Sequence, residues 1–141
     1  MLVNDFPEGS APCIDSVFRY GFQHYYGYKD HMRYLHCLEK IYPDRARVID
    51  IGKSIEKRSL KVLKIGKTSH NGMKKKAIWI DGGIHAREWI SPATAQYISY
   101  RLVEKYGLGI DENLVDHFDF YILPILNPDG YGRRILKFSI L

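Results

Sequence analysis

The chain of 141 residues has only two cysteines, Cys13 and Cys37. Two thiols cannot build the disulfide framework of a small secreted scaffold, and they leave two states open: paired in an oxidising compartment, or reduced and buried. No apolar run approaches the length needed to cross a bilayer. The opening Met-Leu-Val-Asn-Asp-Phe-Pro-Glu lacks both the basic start and the apolar core of a signal peptide. Zinc-finger, RNA-binding and helix-turn-helix patterns are missing, as are repeats and low-complexity tracts. The net charge of +5 comes partly from Lys74-Lys75-Lys76 and Arg133-Arg134. Such runs read as solvated loops, so no nucleic-acid or membrane partner is expected. What is present is enough sequence for one domain and too little for two, with eleven tyrosines as its one bias.

Residues 1–27, with Phe18, Tyr20, Phe22, Tyr25 and Tyr26, read as an irregular leader that packs by its rings. Asp30 is placed to cap a helix through about Tyr42, in which Leu35, Leu38 and Tyr42 recur at helical spacing, and Pro43 stops it. Arg47 to Ile51 and Leu60 to Ile65 read as strands; the link between them is too short for a crossover helix, so they are expected to be antiparallel neighbours. A polar turn over 67–76 leads to a strand at 77–81, whose aliphatic content points to an interior position. A helix from Pro92 to about Tyr106 follows, with Ala95, Ile98, Leu102 and Tyr106 as its stripe. Another helical turn falls at 111–115, and 118–126 reads as a strand with Pro124 at an edge, a bulge or its end. Asn127-Pro128-Asp129-Gly130 is a turn signal. Strand, helix and strand in this order make a parallel crossover, and the class is α/β.

The central stretch is Trp79-Ile80-Asp81-Gly82-Gly83-Ile84-His85-Ala86-Arg87-Glu88-Trp89-Ile90-Ser91-Pro92. Ser91-Pro92 reads as an N-cap followed by a proline at the first helical position. His85 and Glu88 therefore fall between the carboxyl end of a strand and the start of a helix, where α/β folds bind ligands. Imidazole and carboxylate are both good zinc donors, and the two glycines relieve crowding of the backbone around them. The pair alone is a weak signal, since turn histidines are common, and it is not the helical His-Glu-x-x-His motif. Its place in the fold is what strengthens it.

Gly82-Gly83-Ile84-His85-Ala86-Arg87-Glu88-Trp89-Ile90-Ser91-Pro92 resembles the zinc-site signature of the metallocarboxypeptidases of the A/B kind. Three further segments resemble that family in the family's order: Tyr34 to Leu38 with Tyr42-Pro43, Ile51 to Arg58, and Ile125 to Tyr131. The resemblance implies a three-layer fold, a mixed and mainly parallel sheet with helices on both faces, of which this chain supplies about the first four strands. It implies that His85 and Glu88 are two ligands of one zinc ion, that Arg87 helps to place a peptide substrate, and that the activity is removal of a C-terminal amino acid. Asn127 and Asp129 are taken as structural.

By the same resemblance, residues 28–131 are the N-terminal half of a catalytic domain and 132–141 a tail outside the family. The family's third ligand, a histidine much further on, and its general-base glutamate find no match in this sequence, and His24, His31, His36, His70 and His117 are not placed to substitute. The expectation is therefore an inactive, shortened form whose partners, through its parent enzyme, are peptide C-termini, and whose strand before His85 exposes an edge prone to self-association. The family is extracellular. The alternatives are a non-catalytic fragment or binding protein, and a zinc-dependent deacylase of related fold.

Overall fold

Alternating apolar residues in the strands and apolar stripes on the helices require a sheet with helices laid on it, and a computed structural model shows this arrangement. It describes Cys13 and residues 21–68, 74–106 and 114–138, with side chains up to Arg133. In chain order the elements are α1 (Tyr28–Ile41), β1 (Ala46–Lys53), β2 (Ser59–Ile65), β3 (Lys76–Asp81), α2 (Ile90–Glu104), α3 (Leu114–His117), β4 (Phe118–Leu123) and α4 (Pro128–Phe138). The leader before residue 21, the turn at 69–73, His70, the expected helix end at Gly107 and Gly109, and the start of the 111–115 turn lie outside the described residues.

The strands form one mixed sheet in the order β1-β2-β4-β3. β1 and β2 are antiparallel neighbours, as expected from their short link, with a bulge between Asp50 and Gly52. β2 pairs antiparallel with β4, and β4 pairs parallel with β3 across the α2 crossover. The α/β class with a mixed sheet holds, and within these four strands the parallel share is the β3–β4 ladder. Pairing Leu63 with Ile122 and Ile65 with Phe120 puts one apolar face together. Leu35 and Leu38 of α1 and Ala95, Leu102 and Val103 of α2 are buried in the same core cluster. The opposite face is covered at its centre too, since Val62 and Leu123 are buried.

Several local expectations are corrected, and two that the sequence left open, at Pro124 and at the cysteines, are settled. The N-cap of α1 is Gly27, and Asp30 sits at the third helical position, where its Oδ2 accepts the Gly27 N–H at 3.2 Å. Asp30 thus completes half of a capping box from inside the helix. β3 is an edge strand among the described residues, with Trp79 53% exposed, and not an interior one. Its aliphatic content reflects Ile78 and Ile80, which pack into the core cluster while Ala77 and Trp79 face out. Pro124 falls just past the end of β4, so the strand keeps all its ladder donors. Cys13 and Cys37 are joined as a disulfide with Cα atoms 5.0 Å apart, which ties Cys13 to α1. Among the described residues no helix is long and apolar enough to cross a membrane.

His31 of α1 is buried, with its ring nitrogens 3.3 Å from Gln96 Oε1 of α2 and 3.3 Å from the Tyr131 hydroxyl of α4. It therefore joins three helices at one point. Burial pushes its pKa down to about 4, only partly offset by the contact with Gln96. An unfolded chain binds the same proton near the ordinary value of about 6.5. The stabilisation is complete above that value and drains as pH falls toward 4, by about 3 kcal/mol over the window. The difference in unfolding free energy between wild type and His31→Gln, followed by urea denaturation from pH 7.5 to 4.5, is expected to shrink by that order; a constant difference contradicts it.

Candidate metal-binding turn

The turn after β3 is held by an extension of the β3–β4 pairing beyond the strands themselves. Gly82 N–H donates to Leu123 O at 2.9 Å, Leu126 N–H to Gly82 O at 2.8 Å and Asn127 N–H to Gly83 O at 3.0 Å. Two close approaches require glycine here. Gly83 has φ of +66°, and a Cβ on it would lie 3.0 Å from Pro92 Cγ; a Cβ on Gly82 would lie 3.0 Å from the carbonyl oxygens of both Pro124 and Ser91. Ser91 is not the N-cap of α2, which is Trp89. The helix starts two residues earlier, with Ser91 N–H closing on Glu88 O at 3.0 Å, and the Ser91 hydroxyl is used instead to accept the Gly83 N–H at 3.1 Å.

Between these fixed ends Glu88 N–H donates to His85 O at 3.1 Å, a tight turn that brings His85 Nδ1 to 3.2 Å from Glu88 Oε2. Both side chains are more than half exposed, at 67% and 52%. With Ile84, Ala86, Arg87 and Asn127 they line a groove of about 430 Å³. Arg87 is exposed beside them and makes no ion pair among the described residues. The structure thus brings together all three residues singled out in the sequence. An imidazole nitrogen and a carboxylate oxygen facing each other at a groove fit zinc as two of its donors. No group of three or more His, Cys, Asp or Glu that could hold a metal gathers among the described residues. His31 is committed to the helix junction, His36 lies beside Glu39 on α1, His24 lines a separate pocket with Phe22 and Tyr97, and His117 precedes β4 at the far end of the parallel ladder.

Asn127-Pro128-Asp129-Gly130 begins a helix and does not form a free turn. Asn127 Oδ1 accepts the Gly130 N–H at 3.0 Å as the N-cap of α4, and Pro128 takes the first helical position. The same Asn127 donates through Nδ2 to Ile84 O at 3.2 Å, one residue before His85. That contact was not legible beforehand, although the Asn-Pro pair itself carries the cap signal. Asp129 accepts the Ser54 hydroxyl at 2.6 Å, the Glu56 N–H at 3.1 Å and the Arg58 guanidinium at 2.8 Å. Partial desolvation pushes its pKa up, yet these donors outweigh it and hold the carboxyl below its ordinary value. The β1–β2 hairpin is thereby fastened to the start of α4.

The family pattern for zinc carboxypeptidases matches residues 31–135. This chain belongs to the zinc carboxypeptidase family. It is 43% identical over 108 residues to a carboxypeptidase B of Astacus astacus, covering 77% of this chain and 34% of that protein. It is 39% identical over 126 residues to a metallocarboxypeptidase A of Trichophyton tonsurans, covering 88% and 28% respectively. The crystal structure of thrombin activatable fibrinolysis inhibitor superposes with a TM-score of 0.76 at 38% identity, covering 87% of this chain and 30% of that one. The chain spans about a third of the length of these relatives. Membership of the zinc carboxypeptidases implies zinc as the metal of the family.

The geometry makes Gly83 the most constrained backbone position of the turn. Gly83→Ala is expected to lose about 1–2 kcal/mol from the left-handed conformation, with more from the Pro92 contact. Denaturant unfolding checks it, and a loss below about 0.5 kcal/mol, within the range of ordinary surface substitutions, contradicts it.

Proposed function

We propose that residues 28–131 form the N-terminal part of a peptidase domain that removes a C-terminal amino acid from peptides, with His85 and Glu88 as two ligands of its zinc ion and Arg87 as a substrate contact. The observation that supports this best is the 3.2 Å approach of His85 Nδ1 and Glu88 Oε2 at the carboxyl end of β3, inside the family-matched segment. Zinc held there supplies a Lewis acid that polarises water and a scissile carbonyl. The imidazole of His85 and the carboxylate of Glu88 would hold the cation and offset part of its charge, and Arg87 would offer its planar fork of donors to the carbonyls of a bound peptide. The groove is open enough for a peptide to reach all three.

Two donors make a weak and geometrically open site, so the 141-residue polypeptide by itself is expected to bind zinc but not to turn over peptide. Calorimetry with zinc on the folded chain tests the ligand assignment. One-to-one binding that drops at least about tenfold in His85→Ala and in Glu88→Ala supports it, the size following the usual cost of disturbing a metal site. Binding that both variants retain unchanged sinks it. Incubation with a free-C-terminus peptide and its amidated twin is expected to release no amino acid from either; selective release from the free one would overturn the prediction of inactivity.

A further inference from the structure

Asn127 occupies a position that neither the cap of α4 nor the metal pair explains by itself. Its side chain is used at both ends: Oδ1 accepts from Gly130 N–H at 3.0 Å, while Nδ2 donates to Ile84 O at 3.2 Å. Its backbone N–H is fixed on Gly83 O at 3.0 Å and its carbonyl accepts from Tyr131 N–H at 3.1 Å. Every hydrogen-bonding group of the residue is thus engaged between the His85 turn and α4. Gly130 closes the contact from the helix side. A Cβ there would lie 2.7 Å from Asn127 Nδ2 and 2.9 Å from Ala86 Cβ, the side chain between His85 and Arg87. The turn is therefore pressed onto the first turn of α4 with no room for a methyl group.

We propose that Asn127 and Gly130 are positioning residues for the metal-binding turn: the Asn127 amide clamps Ile84 O, and the bare Gly130 backbone seats Ala86, so that His85 and Glu88 face each other before metal arrives. The proposal rests on the assignment of those two as ligands. A residue that orients ligands in this way is worth about 10–100-fold in metal affinity. The cap role and the clamp role separate by substitution. Asn127→Ser keeps a cap acceptor for Gly130 N–H but is too short to reach Ile84. Gly130→Ala is a better helix former, so a purely helical role predicts equal or higher stability.

Melting temperature, zinc affinity by calorimetry, and amide hydrogen exchange of residues 84–88 in the metal-free chain are measured for wild type, Asn127→Ser, Gly130→Ala and His85→Ala. Asn127→Ser is expected to melt near wild type, to bind zinc about tenfold more weakly, and to exchange the Glu88 amide faster. Gly130→Ala is expected to show the same weaker binding and faster exchange whatever its effect on melting. Unchanged exchange at 84–88 in both variants overturns the proposal. So does unchanged affinity, where His85→Ala shows that the turn is the site. Zinc binding that His85→Ala leaves intact counts against the ligand assignment instead, and the exchange data then decide the clamp alone.

Discussion

The whole arrangement depends on the parallel β3–β4 ladder being carried beyond the strands, to Gly83 after β3 and to Asn127 after β4. Parallel neighbours leave their carboxyl ends side by side, and here the backbone bonds between Gly82–Gly83 and Leu126–Asn127 keep the two chains paired after β4 itself has ended at Leu123. Each chain then turns into a helix at the same edge of the sheet. One exit carries His85 and Glu88 into α2 and the other carries Asn127 into α4, so side chains far apart in sequence line one groove. Without the extended ladder the two helix starts would be independent, and the turn between Gly83 and Ser91 would be an exposed loop with no fixed shape.

Around that ladder the structure is braced at two further points of different physical character. The Asp129 cluster is electrostatic and partly exposed: Arg58 also pairs with Glu56, and Glu56 with Arg133, so its charges are shared rather than stacked into one strong bond. The His31 junction is the opposite case, a polar group fully enclosed by α1, α2 and α4, held neutral by burial and paired on both ring nitrogens. The first brace weakens with salt, while the second weakens with acid. Together they hold α4 against the hairpin and against α1, and α4 in turn holds the turn that carries His85.

Element types and order were legible from the chain because periodicity and turn chemistry agree along most of it. Leu60 to Ile65 alternates and is a strand; Leu35 and Leu38 recur at helical spacing and are buried. The short link after Lys53 correctly implied an antiparallel pair. What sequence pattern could not show was how polar side chains divide their work. Ser91 and Asn127 both look like local caps, but the Ser91 hydroxyl accepts from Gly83 N–H at the other end of its own turn, and Asn127 both caps α4 and reaches across to Ile84 O. The edge position of β3 followed from the family resemblance and not from its aliphatic content, since alternation reports what lies above and below a strand and is silent on what lies beside it. His85 and Glu88 could be singled out as candidates because strand end, glycines and helix start converge in one short stretch that resembles a family signature, and the groove that joins them to Asn127 exists only once β3 and β4 are paired.

The central claim is that zinc is held at one turn, and by one of the six histidines of the chain. It is tested most directly by titrating zinc into protein with 15N-labelled histidine rings and following all the imidazole resonances together. The account predicts that the His85 ring nitrogens move at substoichiometric zinc while those of the buried His31 and of His24, His36 and His117 stay in place. Movement of any of those rings ahead of His85, or equal movement of all exposed rings, would contradict it.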